Sequence, residues 1–311
     1  MIPQLIVLSI LIFALAKMMP GDVITNQIMT NPQMTQQVAN EQREKLGLND
    51  PAPIQYWHWV SGLVHGNLGM SAIHQTSVTT LIGERLENTI LLAFCILLVS
   101  YAIAIPLGIA GGRWTNSVFD KFITGYTYFS YATPLFVFAL FMLFVFTFTL
   151  NWFPIGGSVD PGLNSETVDY YANKFYHLVL PTLSGALLST AVTIQFLKNE
   201  ITETKLKDFV VTARSKGVPE ARVYSRHILR NSFLPIAAFL GYDITGLIGG
   251  HVILETIFSY PGIGQLFIQS ISQRDYPVVT ALMMISGLAA LFGTLLSDII
   301  LSAVDPRIRI E

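Results

Sequence analysis

Long apolar runs separated by short polar breaks set the pattern of this chain, and six of the runs stand out. They cover Ile2 to Met19, about Thr89 to Gly112, about Phe122 to Leu150, about His177 to Leu197, Pro235 to Ile257, and about Val278 to Val304. Runs of roughly eighteen or more apolar residues with almost no charge mark helices that cross a bilayer. Pro20-Gly21-Asp22 stops the first run. The third is too long for one straight crossing, since its twenty-nine residues would make about 43 Å of helix against a hydrocarbon core of about 30 Å. Pro134 is the expected dividing point, with the earlier part shallow or tilted. The pattern predicts an all-α membrane protein with six transmembrane helices. The first helix covers 1–19, an external segment covers 20–88, and a five-helix core covers 89–311.

Composition sharpens the class. Of 311 residues, 52% are hydrophobic and 12% are charged, whereas a soluble domain carries about 25% charged residues. The net charge of −2 says nothing about partners, but its distribution gives an orientation. Twelve basic residues (Arg113, Lys121, the eight from Lys198 to Arg230, Arg307 and Arg309) fall on one side of the predicted spans. Five (Arg43, Lys45, Arg85, Lys174 and Arg274) fall on the other. The lysine- and arginine-rich side is expected in the cytoplasm, which puts both termini there. Cys95, the one cysteine, excludes an intrachain disulfide and a multi-cysteine metal site. Ala14-Leu15-Ala16 has the form of a signal-peptidase site, yet no basic residue precedes the run. The expectation is an uncleaved first span from which a short basic leader is missing.

One stretch breaks the apolar pattern. "DFVVTARSKGVPEARVYSRHILRNSFLP", from Asp208 to Pro235, holds Asp208, Arg214, Lys216, Glu220, Arg222, Arg226 and Arg230. Seven charges at mid-membrane would cost roughly 20 kcal/mol, so this island stays outside the bilayer. Asp208 to Ser215 suits a short helix with Gly217 as its left-handed cap. Pro219 then suits the first turn of a second helix, with Glu220 at its positive end. Arg222, Arg226 and Arg230 recur every four residues as a basic stripe. Charge alone leaves two general readings, attraction to anionic headgroups and the positive-inside bias. Lipid binding gains nothing from a fixed turn, however, so helix–glycine–helix looks like a shaped protein-docking element.

These residues resemble the permease subunits of ATP-binding-cassette importers of the dipeptide/oligopeptide/nickel type. Thr212-Ala213, Gly217 and Leu234-Pro235 are similar to the cytoplasmic coupling motif of that family. "MPGD" at Met19–Asp22, "LGLNDP" at Leu46–Pro51, "GNLGMS" at Gly66–Ser71 and "FPIGG" at Phe153–Gly157 follow in the family's order. "ETIFSYPGIGQL" at Glu255–Leu266, "RDYP" at Arg274–Pro277 and "DPRIR" at Asp305–Arg309 complete the series. The resemblance implies a type I importer permease fold in a prokaryotic cytoplasmic (inner) membrane. It also implies a second homologous permease subunit, two ATP-binding subunits carrying ATP and Mg, and an external substrate-binding lipoprotein or periplasmic protein. No cofactor is implied for this chain itself, and membrane lipid is its solvent. Within the coupling region, 205–235, Thr212, Ala213, Arg214, Gly217, Arg222, Arg230 and Pro235 are implied to engage the ATPase.

The chemistry the sequence lacks agrees with a passive transport subunit. No G-x-x-x-x-G-K-[ST] phosphate loop, no H-E-x-x-H and no G-x-S-x-G occurs. Nothing in it suggests a nucleic-acid partner. Asp243, His251 and Glu255 fall within about 120° of one helical face and are the candidate substrate path. Glu255 also opens an external turn and serves equally as its anchor. His58, His65 and His74 are spaced unlike any metal signature, so nickel finds no site there. Gly108-x3-Gly112 and Gly246-x3-Gly250 are small-residue pairs suited to close helix packing. Oligopeptides are expected as cargo ahead of dipeptides, with nickel or glutathione as alternatives within the family. A stand-alone secondary transporter would need two repeated halves with interrupted helices, which the sequence does not offer.

Overall fold

The computed structural model describes residues 2–19, 24–25, 35–45, 47–71, 73–233, 236, 243–244, 247 and 249–304. Among these the chain is helical, apart from one isolated antiparallel bridge between Met70 and Ser77. α1, Ile2–Met18, is apolar throughout and ends on Lys17 in its last turn. The segment expected outside the membrane holds two helices, α2, Gln36–Lys45, and α3, Ala52–Val64.

α4, Val78–Arg113, starts well before the second apolar run begins near Thr89. Its first turns are helical because Val78, Leu81 and Ile82 are buried against Ile263, Leu266, Val278, Ala281 and Leu282. Tertiary packing, not hydropathy, sets that boundary. α5, Val118–Ala132, is capped by Ser117, whose hydroxyl accepts from the Asp120 N–H at 3.1 Å. Pro134 then interrupts the chain at the predicted place. α6, Leu135–Leu143, follows with a π-helical turn over Phe144–Thr149, and the axis bends by 99° at the break. The third region is therefore two helices at nearly a right angle rather than one tilted rod.

α7, Val168–Thr204, takes its N-cap from Thr167 and runs well past both ends of the fourth apolar run. α8, Asp208–Ser215, and a helical run over 220–232, called α9, make up the charged island. α10, Val252–Ile257, α11, Ile263–Ser272, and α12, Tyr276–Val304, complete the described chain. Among the described residues three helices are long and apolar enough to cross a membrane, Val78–Arg113, Val168–Thr204 and Tyr276–Ile300, with the bent α5–α6 pair as a fourth candidate. Much of the first half of the fifth predicted span, and Gly246 of the second small-residue pair, lie outside the described residues.

Cα packing divides the molecule into two units. The first is Met1–Ile90 with Ile248–Val252 and Pro261–Leu291, and its core is the cluster around Val78, Leu266 and Val278. The second is Leu91–Leu247 with Ile253–Tyr260 and Phe292–Glu311. Leu92, Ala139, Leu178, Leu254 and Tyr260 form one of its cores. Inside this second unit the Gly108/Gly112 pair has a clear task. A Cβ on Gly112 would lie 2.7 Å from the Ile201 Cβ, and one on Gly108 would lie 3.0 Å from the Leu197 Cβ. The pair lets α4 and α7 touch backbone to side chain within one chain.

Candidate functional site

The island folds as an elbow. α8 places Asp208 in its first turn, where the helix dipole favours negative charge. It ends in a Schellman motif, with Gly217 N–H donating to the Arg214 carbonyl at 2.9 Å and Val218 N–H to the Ala213 carbonyl at 3.2 Å. Gly217 sits at φ +72°, a left-handed conformation that glycine alone adopts freely. The chain turns through Pro219 into α9, whose middle, Val223–Leu229, is π-helical. Such i→i+5 turns are rare and recur at functional sites.

One face of the elbow is welded to the end of α7. Val210 and Ala213 of α8 and Val223, Tyr224 and Ile228 of α9 are buried together with Leu197 and Ile201. Ala213 therefore packs inward, and its small size lets α8 lie close. The opposite face carries Thr212, Arg214, Gly217, Arg222, Arg226 and Arg230, all exposed. Exposed Phe209 and Val211 add apolar surface beside these charges. Of the residues predicted to engage a partner, Pro235 lies outside the described residues.

Four further contacts tie the elbow and the end of α7 to neighbouring helices, and sequence reasoning did not find them. The Tyr224 hydroxyl donates to the Ile109 carbonyl of α4 at 3.3 Å, and burial pushes its pKa up to about 12. The Arg113 guanidinium stands 4.9 Å from the centre of the Tyr224 ring and 5.3 Å from that of Trp114. Lys205 Nζ donates to the Gly112 and Arg113 carbonyls at 2.7 and 3.3 Å, satisfying carbonyls that the end of α4 leaves open. Burial first, and the charge of Arg214 second, hold the Lys205 ammonium below its ordinary pKa. Lys198 forms a buried ion pair with Asp120, and its Nζ also donates to Thr124 Oγ1 at 2.8 Å. The Asn116 N–H donates to Asp120 Oδ2 at 2.8 Å. The contacts that Tyr224, Lys205 and Lys198 make with Ile109, Arg113, Gly112 and Asp120 join residues far apart in sequence, so no local spacing announces them.

Arg214 is committed within the chain. Its Nη2 and Nε donate to Glu220 Oε1 and Oε2 at 2.7 and 3.1 Å, a two-pronged pair spanning the Gly217 turn. The Arg214 hydrogen bond holds the Glu220 carboxyl below its ordinary range. Arg222, Arg226 and Arg230 form no ion pair among the described residues. The elbow thus offers a rigid base and an outward cationic stripe.

The three residues of the predicted path have different surroundings. Asp243 is half-buried and accepts a hydrogen bond from the Tyr101 hydroxyl at 2.7 Å. His251 is half-buried too. Glu255, in α10, is fully buried, and its carbonyl accepts from the Tyr260 N–H at 2.8 Å. That burial fits the anchoring reading of Glu255. Among the described residues no group of three His, Cys, Asp or Glu side chains is arranged to hold a metal ion.

The family pattern described as "Binding-protein-dependent transport system inner membrane component" matches residues 104–310, which include the whole elbow. The companion N-terminal pattern, "Binding-prot-dependent transport system membrane comp, N-term", matches residues 1–93. The chain belongs to this family. It is a multi-pass permease subunit of the peptide-type ATP-binding-cassette importers, and it is a transport component rather than an enzyme. This permease is 37% identical over 309 residues to the Oligopeptide transport system permease protein AppB of Bacillus subtilis (strain 168), covering 99% of this chain and 96% of that one. A putative peptide permease protein of Brucella suis biovar 1 is 34% identical, with 99% and 95% covered. The Glutathione transport system permease protein GsiC of Escherichia coli (strain K12) is 29% identical, with 99% and 96% covered. Among solved structures, the MetNI methionine ABC transporter in an inward-facing conformation superposes with a TM-score of 0.55 at 14% identity. That match takes in 72% of the permease and 96% of the other chain, and it supports the importer permease fold.

Proposed function

We propose that this permease is one of two homologous membrane subunits of an ATP-driven importer for oligopeptides. It takes cargo from an external binding protein and passes it to the cytoplasm of a prokaryotic cell, across six spans with both termini inside. The observation that carries this reading is the elbow over 208–232, a turn fixed by Gly217, welded to α7 and faced with Arg222, Arg226 and Arg230, which form no ion pair among the described residues. Two cytoplasmic ATPase subunits hold ATP and Mg, and one of them seats the outward face of α8 and α9. When the ATPases close on ATP, the elbow moves as a rigid body and carries α7 and α4 with it, because Tyr224, Arg113 and Lys205 lock those helix ends together. The spans then exchange inward- and outward-facing arrangements around the cargo path. Asp243, paired with Tyr101, is the path residue this reading favours, and His251 is the second.

The extended likeness to AppB along nearly its full length supports oligopeptides as cargo. The likeness to GsiC supports a second reading, in which the cargo is glutathione. Isolating the cognate binding protein and identifying what it carries by mass spectrometry separates the two. Peptides of several residues are expected, and glutathione alone would replace the first reading with the second. Recovery of the permease from native membranes without ATPase chains would overturn both.

A further inference from the structure

α3 does not look like part of a watery external segment. Across Ala52–Val64 it has no aspartate, glutamate, lysine or arginine. It packs along α1, with the Tyr56 hydroxyl and Ser9 Oγ 2.8 Å apart. The Phe13 ring meets Tyr56 edge-on at 5.4 Å and Trp59 at 6.0 Å. Ser9 stands about 13 Å of helix before the end of α1, close to half of a hydrocarbon core of about 30 Å. α3 therefore lies beside the membrane-buried half of α1 and not beyond its end. Its other face is apolar and open, with Trp57 70% and Val64 78% exposed, and α1 separately exposes Leu11, Leu15 and Met18. An uncharged helix of this kind, beside a span, belongs at the lipid boundary.

A cavity of about 500 Å³ opens between α1, α3, the loop after α3 and the start of α12, within the range of roughly 300–1,000 Å³ usual for small-molecule sites. Phe13, Lys17, Trp59, Asn67, Tyr276 and Pro277 line much of it. Lys17 is the only lysine, arginine or carboxylate among the described residues that line it. Its Nζ lies 5.9 Å from the centre of the Phe13 ring and forms no ion pair among the described residues. A lysine in the last turn of an apolar helix, with tryptophan and tyrosine beside it, sits at headgroup depth.

We propose that this cavity binds an anionic glycerophospholipid, with the phosphate on Lys17 and an acyl chain against Phe13 and Trp59. The importer, purified as an intact complex and placed in nanodiscs of phosphatidylglycerol and phosphatidylcholine, tests this in two ways. Brominated acyl chains are expected to quench the emission that disappears in Trp59→Phe. Native mass spectrometry is expected to find phosphatidylglycerol retained over phosphatidylcholine, with the preference falling about tenfold in Lys17→Gln and returning in Lys17→Arg. Quenching of Trp59 by aqueous acrylamide but not by bromolipid overturns the proposal, as does shielding of Trp59 from both by a partner subunit. An unchanged lipid preference in Lys17→Gln, or displacement of the lipid by inorganic phosphate alone, overturns the headgroup site.

Discussion

At the scale of single residues, Gly217 and Gly112 are needed for different physical reasons. A Cβ on Gly217 meets nothing within 4 Å, so its requirement is the positive φ alone. Gly217→Val is expected to cost about 1–2 kcal/mol through that dihedral, lowering the melting temperature of the purified importer and the peptide taken up per ATP hydrolysed. Gly217→Asn, which tolerates the left-handed region, is expected to lose much less. Gly112 is constrained by space, with the Ile201 side chain where a methyl would go. Gly112→Ala is expected to destabilise by about 1–3 kcal/mol, and Ile201→Ala in the same chain is expected to restore much of that loss in thermal melts. Lys198→Met leaves Asp120 buried without its cation, a loss of about 3–5 kcal/mol. The double variant Lys198→Met/Asp120→Asn should melt above the single one, and equal melting would remove the ion pair from the explanation.

At the scale of elements, the elbow was legible in part. The short helix, its glycine end and the proline entry into the next helix all followed from residue types at fixed offsets, and each is found where expected. The latches were not legible, because Arg113 to Tyr224 and Lys205 to Gly112 join positions about a hundred residues apart. The inward turn of Ala213 follows from the same packing. Pro134 announced a break but not its 99° angle, which depends on how α5 and α6 each pack on neighbours. The Arg214–Glu220 pair makes a pH prediction for the elbow. Glu220 titrates below its ordinary 4.5 because of Arg214, so any stability it adds is fully present above that pH. It is lost only as pH falls through the lowered native value. The melting difference between wild type and Glu220→Gln is therefore expected to stay constant from pH 6 to 8 and to shrink only below about 4.5. A difference that changes between pH 6 and 8 would assign the titration to another group.

At the scale of the whole molecule, hydropathy was enough to give an all-helical membrane protein, while the six-span count and the orientation drawn from charge asymmetry stand as part of the proposed function. Hydropathy could not place helix ends, because α4 and α7 continue well past their apolar stretches on the strength of packed first or last turns. Nor did it mark α3 as a helix packed along α1. The account makes the elbow the seat of an ATPase, and Asp243 a point on the cargo path. Asp243→Asn is expected to cut peptide uptake at least severalfold while leaving the purified complex intact, and unchanged uptake in both Asp243→Asn and His251→Ala would move the path elsewhere. The elbow itself is most directly tested by cross-linking in the complete importer, with Cys95 replaced by Ala and a single cysteine put at the exposed Thr212 or Arg222. Both positions are expected to cross-link to an ATPase chain, while a cysteine at exposed Glu166 is not. Labelling of Thr212→Cys and Arg222→Cys by a soluble thiol reagent, with no ATPase cross-link in an intact complex, would contradict the assignment.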